Sequence, residues 1–391
     1  MSSLTITACT VVSAIGRGLH ATFDALRDRR SGLVPCDFGG VTIGYVGRVP
    51  GLESRVLPAP LAFFDCRNNR LAQLALETDG FAEAVARARS RYGDDRIGVV
   101  VGTSTSGILS SEEAYRRRDA ATGALPRDFN AEGSHDMYSL GCFVRAALGL
   151  RGPALVVSTA CASSGRAFVD ADHLLRTGIC DAVVVGGADT LCRMTLRGFA
   201  ALELISPVPC RPCDAERSGL SIGEAAGFML LERDGAGPRL LGYGVSSDGH
   251  HMSAPHPEAA GAIAAMRGAL SRAGLRPAAI DYVNLHGTGT RANDAMEDRA
   301  MQAVFGAATP CSSTKGWSGH TLGAAGVLEA AVALLCLRHG LVPGCLGVET
   351  VDQAFGARIV TANAGGPVRR VMSNSFGFGG SNCSLIFGAA S

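Results

Sequence analysis

The sequence predicts an α/β protein, and three observations support this prediction. Of the 391 residues, 47% are hydrophobic, so the chain can bury a large core. Short apolar runs alternate with Ala-rich amphipathic segments of helical length. Several of the apolar runs are continuous and β-branched, as in strands that are covered on both faces. Alternation of this kind is typical of strands connected by helices that pack on both sides of a sheet.

The apolar runs and the Ala-rich segments give the predicted elements in chain order. Strands are predicted over residues 96–101, 154–158, 182–186, 226–231, 282–285 and 371–373. Helices are predicted over residues 71–91, 162–177, 261–273 and 323–338.

A cluster of Gly, Asp and Pro at residues 233–238 resembles a connector between two units. It divides the chain into residues 1–235 and 236–391. Both parts show the same outline of strands and helices, and each has a reactive residue just after a strand: Cys161 in the first and His286 in the second. This outline suggests an internal duplication, although no residue-level repeat is visible.

Composition narrows the class of function. The chain has 36 basic and 35 acidic residues, and this balance does not indicate binding to nucleic acid or to an anionic membrane. From the sequence we expect no signal peptide and no apolar run long enough to cross a bilayer. Its 13 cysteines are therefore expected to be mostly buried small hydrophobic residues in a reducing cytoplasm.

Cys161 is the candidate nucleophile. It lies between a predicted strand and a predicted helix, among small residues that leave room for a bulky thioester. The helix N-terminus is expected to favour the thiolate. The alternative is a packed structural cysteine, which is the commoner role.

Two further segments contain histidines. His286 ends a predicted strand and is followed by Thr288 and Thr290, whose hydroxyls suit a polar chain, among glycines that allow a close approach to the backbone. His320 follows Lys315 by five residues, at the entry to a Gly/Ala-rich helix. A structural histidine at a strand end and a surface lysine are the alternatives.

Lys315 is the only lysine among the 36 basic residues, which suggests that arginine would not serve at this position. If it is buried it needs an acidic partner, and Glu297 is the predicted one. A fourth segment, residues 374–382, is a glycine-rich turn around Phe378 that is suited to presenting backbone N–H groups to an oxyanion.

Together these segments resemble the elongating β-ketoacyl-ACP synthases, the condensing enzymes of fatty acid and polyketide synthesis in the thiolase superfamily. The resemblance covers nearly the whole chain. It is strongest at residues 159–161, 286–288, 314–320 and 374–382, and extends to 211–214 and 223–227. It implies a thiolase fold, with two similar halves in five α-β-α-β-α layers, usually dimeric.

The resemblance also implies a decarboxylative Claisen condensation. Cys161 would take the acyl chain from acyl carrier protein (ACP), and His286 and His320 would stabilise the enolate of malonyl-ACP. Lys315, with Glu297, would support decarboxylation. Phe378 would act at the oxyanion hole and as a gate.

Further positions follow from the same resemblance. Thr288 and Thr290 would hold the phosphopantetheine arm, and Thr105 would lie near the acyl pocket. No redox cofactor or catalytic metal is implied, but a monovalent cation near Asn284, Glu329 and Asn374 is.

Two alternatives to an active synthase are considered. A non-catalytic chain-length-factor subunit would lack the cysteine, whereas Cys161 is present. A thiolase acting on CoA thioesters needs a second, late cysteine, and Cys383 lies outside the glycine turn in a predicted strand. The second histidine, His320, also separates this chain from the initiating Cys-His-Asn synthases.

Residues 67–70 and the His250-His251 segment resemble, more narrowly, ketosynthases of bacterial aryl polyene pathways. That resemblance implies a growing unsaturated aryl or polyene chain on a dedicated ACP, and a heterodimer with an inactive chain-length-factor-like subunit. The broader resemblance leaves a homodimer open as well. ACP would dock on surface arginines such as 116–118, although a solvated charged face is the simpler interpretation. Structural roles are expected for Trp317, for the histidines around His250 and for the Cys210–Cys213 pair.

Overall fold

A computed structural model describes residues 3–390. The strands are β1 Leu4–Ser13, β2 Gly16–Arg17, β3 Leu33–Pro35, β4 Tyr45–Gly47, β5 Ile97–Gly102, β6 Ala154–Val157, β7 Ala182–Asp189, β8 Ile222–Gly223, β9 Ala225–Glu232, β10 Arg239–Ser247, β11 Tyr282–Asn284, β12 Pro310–Ser312, β13 Leu341–Val342, β14 Arg358–Ile359, β15 Ala364–Gly365, β16 Arg370–Gly377 and β17 Ser381–Gly388. The α-helices are α1 Leu19–Arg27, α2 Arg67–Leu76, α3 Phe81–Tyr92, α4 Ile108–Arg116, α5 Tyr138–Ala147, α6 Ser163–Arg176, α7 Arg193–Ala201, α8 Ala260–Ala273, α9 Arg291–Phe305, α10 Lys315–Ser318 and α11 Ala325–His339.

The two halves of the chain repeat one strand topology. In the first half the strand order is β6-β5-β7-β9-β1, and in the second it is β12-β11-β16-β17-β10, with the short β14 added at the edge. In each half the first two pairings in this order are parallel and the next two are antiparallel. The first repeat ends with β9 and the second begins with β10.

The two sheets meet at one corner, where β1 pairs with β10 through Leu4 with Leu240 and Thr5 with Arg239. Elsewhere they are separated by a central layer formed by α6 and α11, which contact each other. Helices α2, α3 and α5 cover the outer face of the first sheet, and α8 and α9 cover that of the second. The result is the five-layer α-β-α-β-α arrangement of the thiolase fold.

Strand β7 shows why the strands are apolar throughout. Val183 and Val185 belong to the central hydrophobic core, whereas Ala182 and Val184 belong to the core beneath the outer helices. Alternate side chains of a strand point to opposite faces, so a sheet between two helical layers needs apolar residues at every position.

Two predictions about elements need correction. The predicted helix over residues 71–91 is two helices, α2 and α3, because Asp79 and Gly80 adopt left-handed backbone angles between them. The long strands β1, β10 and β17 were not predicted, although they form the antiparallel part of both sheets.

Residues Leu322–His339 form a stretch that is long and apolar enough, by length and composition, to cross a membrane. We expected no apolar run of this length from the sequence, and that expectation was wrong. In the structure 83% of this stretch is buried, because it contains α11 of the central layer. Burial within a protein core accounts for its composition.

Candidate active site

Three reactive side chains from both halves of the chain meet at one point. Cys161 Sγ lies 2.9 Å from His320 Nε2. The rings of His286 and His320 are edge to face, with centroids 5.1 Å apart. All three side chains are buried. The structure therefore brings together the nucleophile and the two histidines that the sequence predicted.

A tight turn between β6 and α6 presents Cys161. Ala160 has a positive φ of 50°, which turns the chain sharply after the strand. The Ser163 hydroxyl fixes the turn, since it accepts a hydrogen bond from Thr159 N and donates one to Ala160 O. The strand–turn–helix geometry is the one predicted, with α6 beginning two residues after the cysteine.

The expectation that this turn favours the thiolate needs correction. Burial raises the pKa of the Cys161 thiol to about 11, even though the Lys315 ammonium and the N–H groups of Phe378 and Cys161 oppose that rise. Removal of the sulfur from water penalises its charged form more than the surrounding donors stabilise it. The Cys161 side chain is therefore a neutral thiol near pH 7.

Glu297 holds the segment that carries His286. Its two carboxylate oxygens each accept a backbone hydrogen bond of 2.8 Å, from the N–H of His286 and that of Gly287. Asn374 Nδ2 donates to it at 3.2 Å. Burial raises the pKa of Glu297 to about 7, against the effect of these donors. Glu297 thus holds this segment through the backbone N–H groups of His286 and Gly287.

The predicted ion pair between Lys315 and Glu297 is wrong. The Lys315 ammonium pairs with Glu329 of α11 and also donates to the carbonyl oxygen of His286. The Glu297 carboxylate already accepts hydrogen bonds from three N–H donors. Glu329, in contrast, faces the lysine from the central layer. Burial raises the pKa of Glu329 to about 7, and the Lys315 charge opposes this rise.

Both histidines are neutral. Burial lowers the pKa of His286 and of His320 well below 6.5, and the nearby Lys315 ammonium lowers both further. Lys315 Nζ lies 3.5 Å from His286 Nδ1. Because an ammonium can only donate, Nδ1 accepts and the ring proton of His286 is on Nε2. Among the described residues, His320 Nδ1 has no hydrogen-bond partner, so either tautomer is available to that ring.

A cavity of about 380 Å³ leads to the three side chains. Thr288 and Thr290 line it as predicted, and their hydroxyls are 2.9 Å apart. Phe378 is half-buried at the wall and stacks on Phe199, with ring centroids 5.5 Å apart. The arrangement suits a narrow polar chain that delivers a thioester to Cys161.

Gly377 allows the glycine-rich turn to approach the nucleophile. A Cβ atom at this position would lie 2.9 Å from Thr159 O and 3.2 Å from the backbone nitrogens of Cys161 and Ala162. The absent side chain therefore brings Phe378 N–H to the sulfur. The sequence pattern predicted this turn, but not which glycine needs to lack a Cβ.

Thr105 does not line the cavity, contrary to expectation. Its hydroxyl donates to the buried carboxylate of Asp189 at 2.7 Å, and its N–H donates to the same oxygen at 2.8 Å. Asp189 also accepts hydrogen bonds from Thr103, Ser104 and the N–H of Gly323. Asp189 thereby ties the loop after β5 to the segment after His320, a role that sequence reasoning missed.

The remaining candidates have structural surroundings. Trp317 is fully buried in the central core, as expected. Cys383 is a buried residue of β17 outside the cavity. The His250 and His256 rings pack 5.1 Å apart, and His251 Nδ1 accepts hydrogen bonds from the N–H groups of Ser253 and Ala254.

Arg67, in the segment that carried the narrower resemblance, also has a structural role. Its guanidinium binds both oxygens of the fully buried Glu224 at 2.6 and 2.9 Å. Glu224 in turn accepts hydrogen bonds from Val49 N and Leu191 N, which joins three segments of the first half. Asn68 and Asn69 beside it are buried in α2.

Comparison with known proteins agrees with this site. Residues 67–236 match the family model of the β-ketoacyl synthase N-terminal domain, and residues 239–349 match that of its C-terminal domain. The chain is 30% identical to 3-oxoacyl-[acyl-carrier-protein] synthase 2 of Coxiella burnetii, over 97% of each protein. It is 39% identical to the mitochondrial 3-oxoacyl-[acyl-carrier-protein] synthase of Arabidopsis thaliana, over 61% of this chain and 57% of that protein.

Solved structures show the same fold. The ketosynthase ApeO of Xenorhabdus doucetiae, in complex with its chain length factor ApeC, superimposes with a TM-score of 0.90 at 39% identity, over 100% of this chain and 98% of that one. The ishigamide ketosynthase/chain length factor gives a TM-score of 0.90 at 27% identity over the whole of both chains. The chain therefore belongs to the β-ketoacyl synthase family and is a condensing acyltransferase, a β-ketoacyl-ACP synthase.

Proposed function

We propose that Cys161, His286, His320 and Lys315 carry out the two half-reactions of this synthase. The observation that carries the proposal is the 2.9 Å contact between Cys161 Sγ and His320 Nε2, at a cavity that both histidines line. A nucleophile and a ring nitrogen within hydrogen-bond reach form the arrangement that acyl transfer requires.

In the first half-reaction the Cys161 sulfur attacks the acyl-ACP thioester, and the carbon–sulfur bond to phosphopantetheine breaks. His320 Nε2 accepts the thiol proton and passes it to the leaving pantetheine thiolate. The N–H groups of Cys161 and Phe378 stabilise the tetrahedral oxyanion. Because the free thiol is neutral, this proton transfer accompanies the attack and does not precede it.

In the second half-reaction malonyl-ACP loses CO2, and its thioester oxygen takes up the negative charge of the enolate. His286 Nε2–H donates to this oxygen, and its tautomer is fixed by Lys315. His320 donates through Nε2 when its ring proton lies there. The enolate carbon then attacks the acyl carbonyl, the new carbon–carbon bond forms, and the Cys161 thiolate leaves and takes up a proton.

Neutral histidines suit this step. The malonyl carboxylate must lose its negative charge as CO2, and a cationic imidazolium beside it would stabilise the ground state. A neutral N–H donor instead stabilises the charge that develops on the thioester oxygen. The lowered pKa values of both rings keep them in this form.

We propose that Thr288 and Thr290 hold the phosphopantetheine arm, since both line the cavity that Cys161 also lines. The carrier protein would dock on exposed arginines. Arg116 and Arg118 are exposed near the end of α4, whereas Arg117 is paired with Asp128.

The 13 cysteines are all free, which supports the proposal that the protein works in the reducing cytoplasm.

We propose a dimer formed through the edge strand β6, either with a second copy or with a chain-length-factor-like subunit. Strand β6 pairs on one side only, with β5, and Leu155 on it is exposed. An unpaired edge with an exposed apolar residue is a template for pairing with another chain. The similarity to ApeO, which was solved in complex with its chain length factor ApeC, supports the heterodimer. An aryl polyene substrate is supported by the resemblance of residues 67–70 and of the His250-His251 segment.

Two of the three residues predicted to lie near a monovalent cation have side-chain oxygens that could bind it. Among the described residues, Asn284 Oδ1 and Glu329 Oε2 are buried without a hydrogen-bond partner, and such oxygens suit a hard cation. The side chain of Asn374 is already bonded to Glu297 and Ser384. We propose that Asn284 and Glu329 hold the cation through these two oxygens.

Intact-protein mass spectrometry after incubation with a panel of acyl-ACPs tests the proposal. We expect one acyl adduct on the wild type and none on Cys161→Ala, with malonyl-ACP then releasing the adduct as product. The preferred donor identifies the substrate class. Correctly folded wild type that takes an adduct from no donor would favour the alternative, a non-catalytic chain-length-factor-like subunit.

A further inference from the structure

The active site contains a set of side chains whose chemistry goes beyond acyl transfer. One thiol and two imidazoles offer ligand atoms that all lie within 4.8 Å of one another. Among residues 3–390 this is the one group of three potential ligands at such distances. Thiolate and imidazole are the ligands that Zn²⁺ and related metals prefer in proteins.

We propose that Cys161, His286 and His320 form a reversible binding site for Zn²⁺ or a similar thiophilic divalent cation, and that its occupancy blocks the synthase. The metal would bind the Cys161 sulfur and one nitrogen of each histidine, with water in a fourth position from the cavity. Three protein ligands and an open position are the usual pattern of accessible zinc sites. Metal binding by these side chains is independent of the condensation, whereas the block of the synthase rests on the proposed function of Cys161.

Metal binding is a ligand exchange without a change of oxidation state. The Cys161 S–H bond breaks and a metal–sulfur bond forms, and one proton is released to solvent. His320 binds through Nε2 and keeps its ring proton on Nδ1. His286 binds through Nε2 only after its ring proton moves from Nε2 to Nδ1, beside the Lys315 ammonium, which makes the binding weaker. The sulfur is then unavailable to a thioester.

The surroundings of the ligands indicate a reversible site and not a resident metal centre. A histidine in a resident site usually donates its second N–H to a carboxylate or a carbonyl. Here His320 Nδ1 has no partner among the described residues, and His286 Nδ1 faces the Lys315 ammonium at 3.5 Å. The positive charge of Lys315 opposes the charge of the metal. These features predict weaker binding than at structural zinc sites.

Access to the site is through the cavity that leads to the catalytic side chains. All three ligands are buried, so the ion must enter by the route that the substrate uses. Thioester substrate and metal should therefore compete. A chain with Cys161 already acylated has no thiolate to offer and should bind the metal poorly.

Cobalt(II) is the probe for the test, because its absorption reports ligands directly. Purified, metal-free wild type is titrated with CoCl2 under anaerobic conditions. We expect one cobalt per chain, with a thiolate-to-metal charge-transfer band and tetrahedral d–d bands, and displacement by ZnCl2. Cys161→Ser should lose the charge-transfer band, and His320→Asn should lose the tetrahedral spectrum.

Two controls separate this site from others. His250→Gln/His251→Gln removes exposed histidines outside the cavity, and Cys142→Ser removes a half-buried free thiol elsewhere; both should bind cobalt as the wild type does. If Cys161→Ser or His320→Asn unfolds, the proposal can still be tested by alkylation of Cys161 in the wild type. Zinc at ten times its dissociation constant should slow alkylation of Cys161 by iodoacetamide about tenfold.

The proposal is overturned if the charge-transfer band survives in Cys161→Ser, if the loop variant abolishes cobalt binding, or if saturating zinc leaves the alkylation rate of Cys161 unchanged. None of these results bears on the condensation, since acyl-adduct formation is measured without metal. Loss of adduct formation with intact cobalt binding would instead contradict the proposed function alone.

Discussion

Lys315 and Glu329 form an ion pair in which both side chains are almost completely buried, at 2% and 3% exposure. The lysine also donates to the carbonyl of His286, so the pair connects the central helix α11 with the segment that carries His286. A buried pair has lost its hydration, and removal of one partner leaves an uncompensated charge. The pair therefore stabilises the site only while both partners are present.

We expect Glu329→Ala to lower the free energy of unfolding by about 3–5 kcal/mol, because Lys315 would remain buried and unpaired. Urea denaturation followed by circular dichroism measures the change. Glu349→Ala is the control, since Glu349 is 84% exposed and pairs with Arg211 at the surface. We expect that variant to stay within about 0.5 kcal/mol of the wild type. Equal stability of both variants would contradict the role assigned to the buried pair.

The reactivity of the nucleophile should increase with pH. The Cys161 thiol has a pKa of about 11, so its thiolate fraction rises about tenfold for each pH unit below that value. Iodoacetamide alkylation of Cys161, followed by peptide mass spectrometry, should show this slope between pH 7 and about 9. A rate that levels off near neutral pH would mean that the turn favours the thiolate after all.

Decarboxylation should not follow the usual titration of histidine. Burial and the Lys315 charge lower the pKa of His286 and His320 well below 6.5, so both rings keep their neutral, donating form as the pH falls through that value. The rate of CO2 release from malonyl-ACP should stay level across this range, provided that ACP itself remains folded. A halving of the rate at pH 6.5 would show that at least one ring titrates normally.

The reactive residues of the site could be predicted from the sequence more fully than the ion pairs and hydrogen bonds that hold them. Cys161, His286, Lys315 and His320 each lie in a short local motif that follows a strand or begins a helix, and local motifs do not require knowledge of packing. The acidic partner of Lys315 could not be predicted from a local motif. Glu297 and Glu329 are both acidic residues of helices, and only the packing of α11 in the central layer decides between them.

The repeated topology was also outside the reach of the sequence. Both halves have the same strand order and the same pairings, but their side chains differ enough that only the outline of strands and helices suggested a duplication. The raised pKa of Cys161 has a similar origin. Its burial results from the meeting of both halves, which a single strand–turn–helix motif does not contain.

Asp189 should matter more for stability than for choice of substrate. Its carboxylate accepts hydrogen bonds from Thr103, Ser104, Thr105 and Gly323. Thr105→Val should lower the free energy of unfolding by about 1 kcal/mol through the loss of one of these bonds. It should leave the preference among acyl-ACP donors unchanged, as measured by adduct formation on Cys161. A shift in the preferred acyl chain length would show that Thr105 contributes to the acyl pocket after all.

Gly377 should be required for acylation itself. A Cβ atom at this position would meet Thr159 O at 2.9 Å and Cys161 N at 3.2 Å, so Gly377→Ala must push the turn that carries Phe378 away from the sulfur. Loss of one oxyanion donor costs about 10²–10³ in rate, and we expect a fall of that order in the rate of acyl-adduct formation. Stopped-flow acylation with a fixed acyl-ACP measures it.

The control for this variant is Gly198→Ala. Gly198 lies in α7, and a Cβ atom there would meet nothing within 4 Å, so acylation should be unchanged. Global stability must be compared as well, because displacement of β16 could unfold the protein instead of opening the oxyanion hole. A folded Gly377→Ala protein that acylates at the wild-type rate would show that Phe378 N–H does not stabilise the oxyanion. The Cys161 N–H would then be the one donor of this pair that acts in acyl transfer.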